Sequence, residues 1–204
     1  MWLRLKGKTA LVTGGSHGIG REIANLLKRY EVKVDIMSKE RIIIFDAETR
    51  QIPNIPYEYD ILINNVGGGG TWGNKIEEFD EWEKVYEKNA GTARRLTMKC
   101  LPYMIKNKWG RVITISSIFG KEKGDKPWFV MAKASEIALN KCLAGKYEGI
   151  TFNTLAPGHI DVGKGWKGGD PKNVAYLTAF LCSNKAKWIN GACITIDNGE
   201  SHSF

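Results

Sequence analysis

The sequence predicts an α/β chain, an open, doubly wound, mostly parallel sheet with helices on both faces. Three observations predict it. Short apolar runs recur along the 204 residues, helical patterns separate several of them, and the first run gives way to a glycine-rich bend just ahead of a helix face.

In "KTALVTGGSHGIGREIANLLKRY" the apolar run Ala10 to Val12 reads as a buried strand. After the glycines, Ile19, Ile23, Leu27 and Tyr30 recur at helical spacing and read as one helix face. Further strand candidates are Val32 to Met37, Ile42 to Phe45, Ile61 to Ile63, Val112 to Ile115, Ile150 to Leu155 and Ala192 to Ile196. Helical patterns cover Phe79 to Ile105, Trp128 to Ala144 and Pro171 to Cys182. There is no repeat period, low-complexity tract or linker, so residues 1–204 read as a single domain.

One segment resists this scheme. Only "SKERI" separates Met37 from Ile43, whereas a parallel crossover needs about a dozen residues or more. The chain is therefore shortened between its second and third strands. The sequence predicts a tight antiparallel hairpin there, or a second run lying on the sheet edge as irregular structure.

Composition narrows the function classes. With 43% hydrophobic and 25% charged residues the chain matches a soluble globular protein able to bury one core. It has no apolar run of about 18 residues that would span a membrane. "MWLRLKGKTALV" lacks the apolar block and cleavage site of a signal peptide, so a cytoplasmic location is expected. Cys100, Cys142, Cys182 and Cys193 are widely spaced, which favours reduced thiols over a zinc site or disulfide framework. The net charge of +8 comes from scattered basic residues, which points to solubility and attraction for anionic ligands and away from a nucleic-acid partner.

"TGGSHGIG", Thr13 to Gly20, lies between the first strand and its helix, the context in which a glycine motif holds phosphates. Gly14 permits the tight turn, Gly18 lets a pyrophosphate approach the backbone, and Gly20 lets the helix pack closely. The free N–H groups and positive dipole end of the new helix face the phosphates. Ser16, His17 and Ile19 complete the loop.

The spacing GxxxGxG, as Gly14, Gly18 and Gly20, resembles the cofactor motif of the short-chain dehydrogenase/reductases. "NNVG", containing Asn65 and Gly67, is similar to that family's Asn-Asn-Ala-Gly segment. "YEKNAG" holds Asn89, "ISSIFG" holds Ser117, and "LAPGHI" holds Pro157, Gly158 and Ile160. "INGACITIDNG" resembles the family's closing strand. The resemblance runs in order from about Lys6 to Gly199 and implies a Rossmann-type fold, a nicotinamide cofactor and a small carbonyl or alcohol substrate.

The second strand ends in "IMSKE", with Ser38 and Lys39 at its tip and no carboxylate before them. A basic residue there favours a 2′-phosphate, so NADP is expected, with NAD as the alternative. Lys39 also reads as a solvated residue of a turn. The resemblance would place an adenine contact near Asp46, but the missing crossover helix leaves that role unassigned.

In the family a Ser and a Tyr hold the substrate oxygen, the Tyr moves the proton, a Lys four residues on binds the ribose, and an Asn anchors water behind it. Ser117, Lys133 and Asn89 match three of these positions, and the fourth is Phe129. Phenylalanine has no hydroxyl, so the proton route must differ. A water held by Lys133 and Asn89, Lys133 itself, and His159 are the candidates. Phe129 also reads as a packing residue beside Pro127 and Trp128, and Lys133 as a solvated helix lysine. Val162 stands where the family often has a Thr touching the carboxamide. The alternative function is a catalytically silent NAD(P)-binding sensor or scaffold.

Between Gly158 and Pro171 the loop "HIDVGKGWKGGD" is short and glycine-rich. Its Lys164, Trp166 and Lys167, with Val66 to Trp72, suit an anionic or sugar-like ligand. The family resemblance implies a homodimer or homotetramer through the helices carrying Asn89 and Lys133. Leu96, Met98 and Ile137 would suit that contact or the core.

Overall fold

The computed structural model describes residues 2–39, 43, 44, 47, 51–69, 79–163 and 168–203. Among these residues seven strands form one sheet: β1 (Thr9–Thr13), β2 (Lys33–Ser38), β3 (Ile43–Ile44), β4 (Ile61–Asn64), β5 (Gly110–Ile115), β6 (Ile150–Pro157) and β7 (Cys193–Ile196). The spatial order is β3-β2-β1-β4-β5-β6-β7, and every pairing is parallel. The helices are α1 (Gly18–Arg29), α2 (Phe79–Tyr86), α3 (Thr92–Lys106), α4 (Pro127–Leu143) and α5 (Pro171–Cys182). None is long and apolar enough to cross a membrane.

The period-two geometry of strands sends alternate residues to opposite faces. Ala10, Val12, Ile61, Ile63, Ile113 and Leu155 pack on one face against Ile23 and Leu27 of α1 and Val174 and Ala179 of α5. Leu11, Leu62, Val112 and Phe152 take the other face, under Leu96, Cys100 and Met104 of α3. Helices on both faces explain why the strands read as unbroken apolar runs. Leu96 is fully buried and belongs to this core, while Met98 on the same helix is 53% exposed.

The expected hairpin between the second and third strands is a correction. β2 and β3 are parallel neighbours, with Met37 opposite Ile43 and Ser38 opposite Ile44. The dozen-residue minimum applies when a crossover must travel back along a whole strand. Here only two residues overlap, at the carboxyl tip of β2. The return path is roughly one strand residue plus one strand spacing of about 4.8 Å, within the reach of a connection only four residues long. Ile42, Phe45 and Asp46 lie outside the described residues.

β1 lies between β2 and β4, so the chain winds outward on one side of β1 and returns to its other side. That reversal is a topological switch point, and it opens a crevice beyond the carboxyl ends of β1 and β4. Pro127 starts α4 and Pro171 starts α5, where a missing N–H costs nothing. Asp170 caps α5 by accepting from the Lys172 N–H at 2.9 Å.

Candidate active site

The glycine bend occupies the crevice. Thr13, fully buried at the end of β1, donates its hydroxyl to the Ile63 carbonyl at 3.2 Å and accepts from the Asn65 and Val66 N–H groups, both at 2.9 Å. Asn65 answers by donating its Nδ2 to the Thr13 carbonyl at 2.9 Å and the Gly14 carbonyl at 3.3 Å. Gly14 and Gly18 take φ of +64° and +54°, a region L side chains rarely adopt. A Cβ on Gly20 would overlap the Gly14 carbonyl and lie 2.5 Å from Asn65 Nδ2, so the close helix approach is real and needs glycine.

His17 is the extended residue before α1, and its Nδ1 lies 3.1 Å from Ser16 Oγ. The first turn of α1, which includes Ile19, carries no acidic side chain, so its N-terminal positive field is not neutralised there. Val162, from the segment after β6, has Cγ1 3.0 Å from where a Cβ on Gly18 would stand. At the tip of β2, Ser38 is buried and Lys39 exposed. Gly20→Ala is expected to destabilise the fold by about 1–3 kcal/mol through overpacking, read by urea unfolding. An unchanged midpoint would show that this bend tolerates a methyl group.

Four of the proposed catalytic positions sit around the next part of the crevice. Ser117 follows β5 and caps the short 3-10 turn Ile118–Gly120, accepting from the Phe119 N–H at 3.3 Å. Its neighbour Ser116 donates to the Lys133 carbonyl at 2.9 Å and ties α4 to the sheet. Asn89 lies in a π-helical turn, Glu87–Gly91, between α2 and α3. Such turns are frequent at functional sites. Asn89 donates to the Val85 carbonyl at 2.7 Å and the Gly68 carbonyl at 3.0 Å, and accepts from the Gly68 N–H at 3.2 Å. It thereby fixes the segment after β4, where a Cβ on Gly67 would collide with Asn89 Oδ1 and lie 3.1 Å from Lys133 Nζ.

Lys133 is not a solvated helix lysine. Its side chain is 5% exposed and its Nζ donates to the Ile115 carbonyl at 3.1 Å and to Glu136 at 3.1 and 3.4 Å. The Phe129 ring, half-buried on the same helix face, has its centroid 5.6 Å from that nitrogen. Burial pushes the Glu136 carboxyl up to about 7, against the opposing pull of the Lys133 charge and of hydrogen bonding to Lys133 and Ser116.

The third wall follows β6. Pro157 ends the strand, Gly158 donates its N–H to the Ile196 carbonyl at 3.0 Å, and Ile160 bridges Gly169. His159 pairs through Nδ1 with Glu200, whose Oε2 also accepts the His159 N–H at 2.8 Å. The imidazole meets the Phe119 ring edge-on at 6.4 Å between centroids. Trp72, Lys164, Trp166 and Lys167 lie outside the described residues.

The structure thus brings Gly14, Gly20 and Asn65 into one cluster and Gly67, Asn89, Phe129 and Lys133 into another, with Ser117 at the adjoining strand end. Glu136 and Glu200 were not singled out in the sequence. Glu136 had a legible signal, an acid three residues after Lys133 in the otherwise apolar run "AKASEIAL". Glu200 had none, because its partner lies 41 residues away.

A doubly wound sheet with a glycine bend at its switch point, followed by an Asn and a buried Lys beside the same crevice, defines a nucleotide-dependent enzyme class. The model of the short chain dehydrogenase family matches residues 34–168. The chain belongs to that family, a group of NAD(P)-dependent oxidoreductases. It is 29% identical to a 3-oxoacyl-(acyl-carrier-protein) reductase of Vibrio cholerae, the alignment covering 97% of this chain and 98% of the relative. The enzyme of that name from Escherichia coli K12 is 30% identical, with 97% and 98% covered. Among solved structures, the ligand-free aldohexose dehydrogenase of Thermoplasma acidophilum matches with TM-score 0.85 and 26% identity, covering 97% of this chain and 95% of that one. The Vibrio alignment spans 245 positions against 204 residues here, so the relative carries insertions this chain lacks.

Proposed function

We propose that the chain is a single dinucleotide-binding domain that uses NADP, with NAD as the alternative, to interconvert a small carbonyl compound and its alcohol by a proton route lacking the usual phenol. The observation that carries this reading is the buried Lys133 held beside Gly67 and Asn89 at the switch-point crevice. The glycine cradle fits the cofactor: positive φ at Gly14 and Gly18 and an α1 start without acidic side chains suit a diphosphate. Ser16, His17, Ile19 and Gly20 would complete that contact, and Ser38 and Lys39 would meet a 2′-phosphate. Asn65, Gly67, Pro157, Gly158 and Ile160 would flank the nicotinamide end. Bound there, the reduced nicotinamide supplies a hydride.

The chain's own residues do the rest. Ser117 Oγ donates a hydrogen bond to the substrate oxygen and stabilises charge developing on it. Phe129 excludes water without moving a proton. Lys133 would hold a hydroxyl of the nicotinamide ribose, and a water held beside it and Asn89 would carry the proton to the substrate oxygen. Met98 and Met131, 53% and 40% exposed on α3 and α4, suit a contact between copies in a homodimer or homotetramer.

NADPH and NADH titrations by nicotinamide fluorescence, followed by single-turnover NADPH oxidation with 3-oxoacyl thioesters and simple ketones and NADP reduction with aldohexoses, test the reading. NADPH binding with turnover of at least one class is expected. Binding without turnover across the panel would favour a silent sensor, for which the loss of the phenol at Phe129 already speaks. No complex at millimolar excess would remove the cofactor itself.

A further inference from the structure

We infer, on the cofactor reading above, that Glu136 is the positioning residue for Lys133, a buried carboxylate that replaces the phenol absent at position 129 as the lysine's polar partner. The two side chains stand three residues apart on α4, 5% and 2% exposed. An ammonium has three N–H donors and no acceptor. Here they meet three oxygens: the Ile115 carbonyl and Glu136 Oε2, each at 3.1 Å, and Glu136 Oε1 at 3.4 Å. Phe129 offers only its ring, at 5.6 Å. Without Glu136 the buried charge would keep one of these acceptors.

A buried ion pair is by itself a weak source of stability. Well-packed apolar residues in place of a buried ion pair are often as stable or more so, and removing one partner alone is what destabilises. Its location gives it another purpose, since Nζ lies 3.1 Å from the Cβ position of Gly67, at the edge of the crevice. The lysine is clamped from both ends. Ile115 holds its ammonium, and Ser116, the next residue, holds its carbonyl at 2.9 Å. Of the three donors, the one directed at Oε1 makes the longest bond and is the one free to turn to a ribose hydroxyl while Oε2 and Ile115 keep the nitrogen in place.

The groups facing Glu136 are Lys133 on its own helix and Ser116 from the end of β5. Asn140, one turn further along α4, donates its Nδ2 to the Asn153 carbonyl and to Thr154 of β6. The carboxylate that anchors Lys133 is therefore present above the range near 7 where Glu136 titrates, and neutral well below it.

NADPH affinity is to be measured by fluorescence for wild type and Glu136→Gln at pH 8 and pH 5.5. At pH 8 the variant should bind about tenfold more weakly, the effect of one charge-assisted hydrogen bond, whereas at pH 5.5 the two should agree within about twofold. A merely structural carboxylate would leave the ratio the same at both values. Adding Phe129→Tyr to Glu136→Gln should return affinity at pH 8 to within about threefold of wild type, because the phenol offers Lys133 a new partner. Equal affinity of wild type and Glu136→Gln at pH 8, or an equal deficit at both pH values, overturns the assignment. Wild type that binds no NADPH at either pH overturns the cofactor reading and this inference with it. Should Glu136→Gln fail to fold, Glu136→Asp makes the same comparison, with a deficit of about threefold expected at pH 8 and none overturning the role.

Discussion

Phe129→Tyr is expected to raise the single-turnover rate of carbonyl reduction by about 10²-fold or more, the lower end of what a positioned acid contributes. The substitution adds one hydroxyl to a ring already set on the same face of α4 as Lys133, with its centroid 5.6 Å from Nζ. The ring packs with Val85, Trp128 and Ala132 and lies along the segment at Gly69, so its placement does not depend on the missing oxygen. A gain in rate with NADPH affinity little changed would mean that Ser117, Asn89 and Lys133 still form a competent site. An unchanged rate would mean that the surrounding groups no longer bring a carbonyl to the nicotinamide.

The second large effect is on stability. Burial raises the Glu136 carboxyl from 4.5 to about 7, so the folded chain holds this proton more tightly than the unfolded one. The resulting stabilisation is fully present below pH 4.5 and is lost as pH rises through 7. At about 1.4 kcal/mol per pKa unit, it amounts to about 3 kcal/mol. Glu136→Gln has no such proton to lose. Relative to that variant, wild type should therefore become less stable by about 3 kcal/mol between pH 4.5 and 8, read from urea midpoints across the range. Parallel pH curves for the two proteins would show that the Lys133 charge offsets the burial of this carboxylate in full.

The two effects concern different links of one site. Phe129 removes a proton donor that the family resemblance implies, and Glu136 adds a buried charge that it does not. The first was legible because it interrupts a pattern of residue types. The second needed coordinates, although its three-residue spacing from Lys133 was visible, because an acid on a helix is solvated far more often than it is buried.

The same distinction runs through the fold. Ala10 to Val12, the glycines and the Ile19 to Tyr30 face were readable from the sequence, since strand period, helix period and positive-φ turns are imposed by neighbours along the chain. The β2–β3 pairing departs from the sequence expectation because loop length limits a crossover only in proportion to the strand length it must retrace, and the overlap of two residues is set by where β3 docks.

By itself the sequence determined the alternation of strands and helices, the glycine bend, and the identities Asn89, Ser117, Phe129 and Lys133. Tertiary structure decided that Lys133 is clamped between Ile115 and Glu136, that Leu96 belongs to the core, and that Glu200 reaches His159. Local geometry follows from short-range sterics, but burial and charge pairing are properties of surfaces that meet only when distant segments pack.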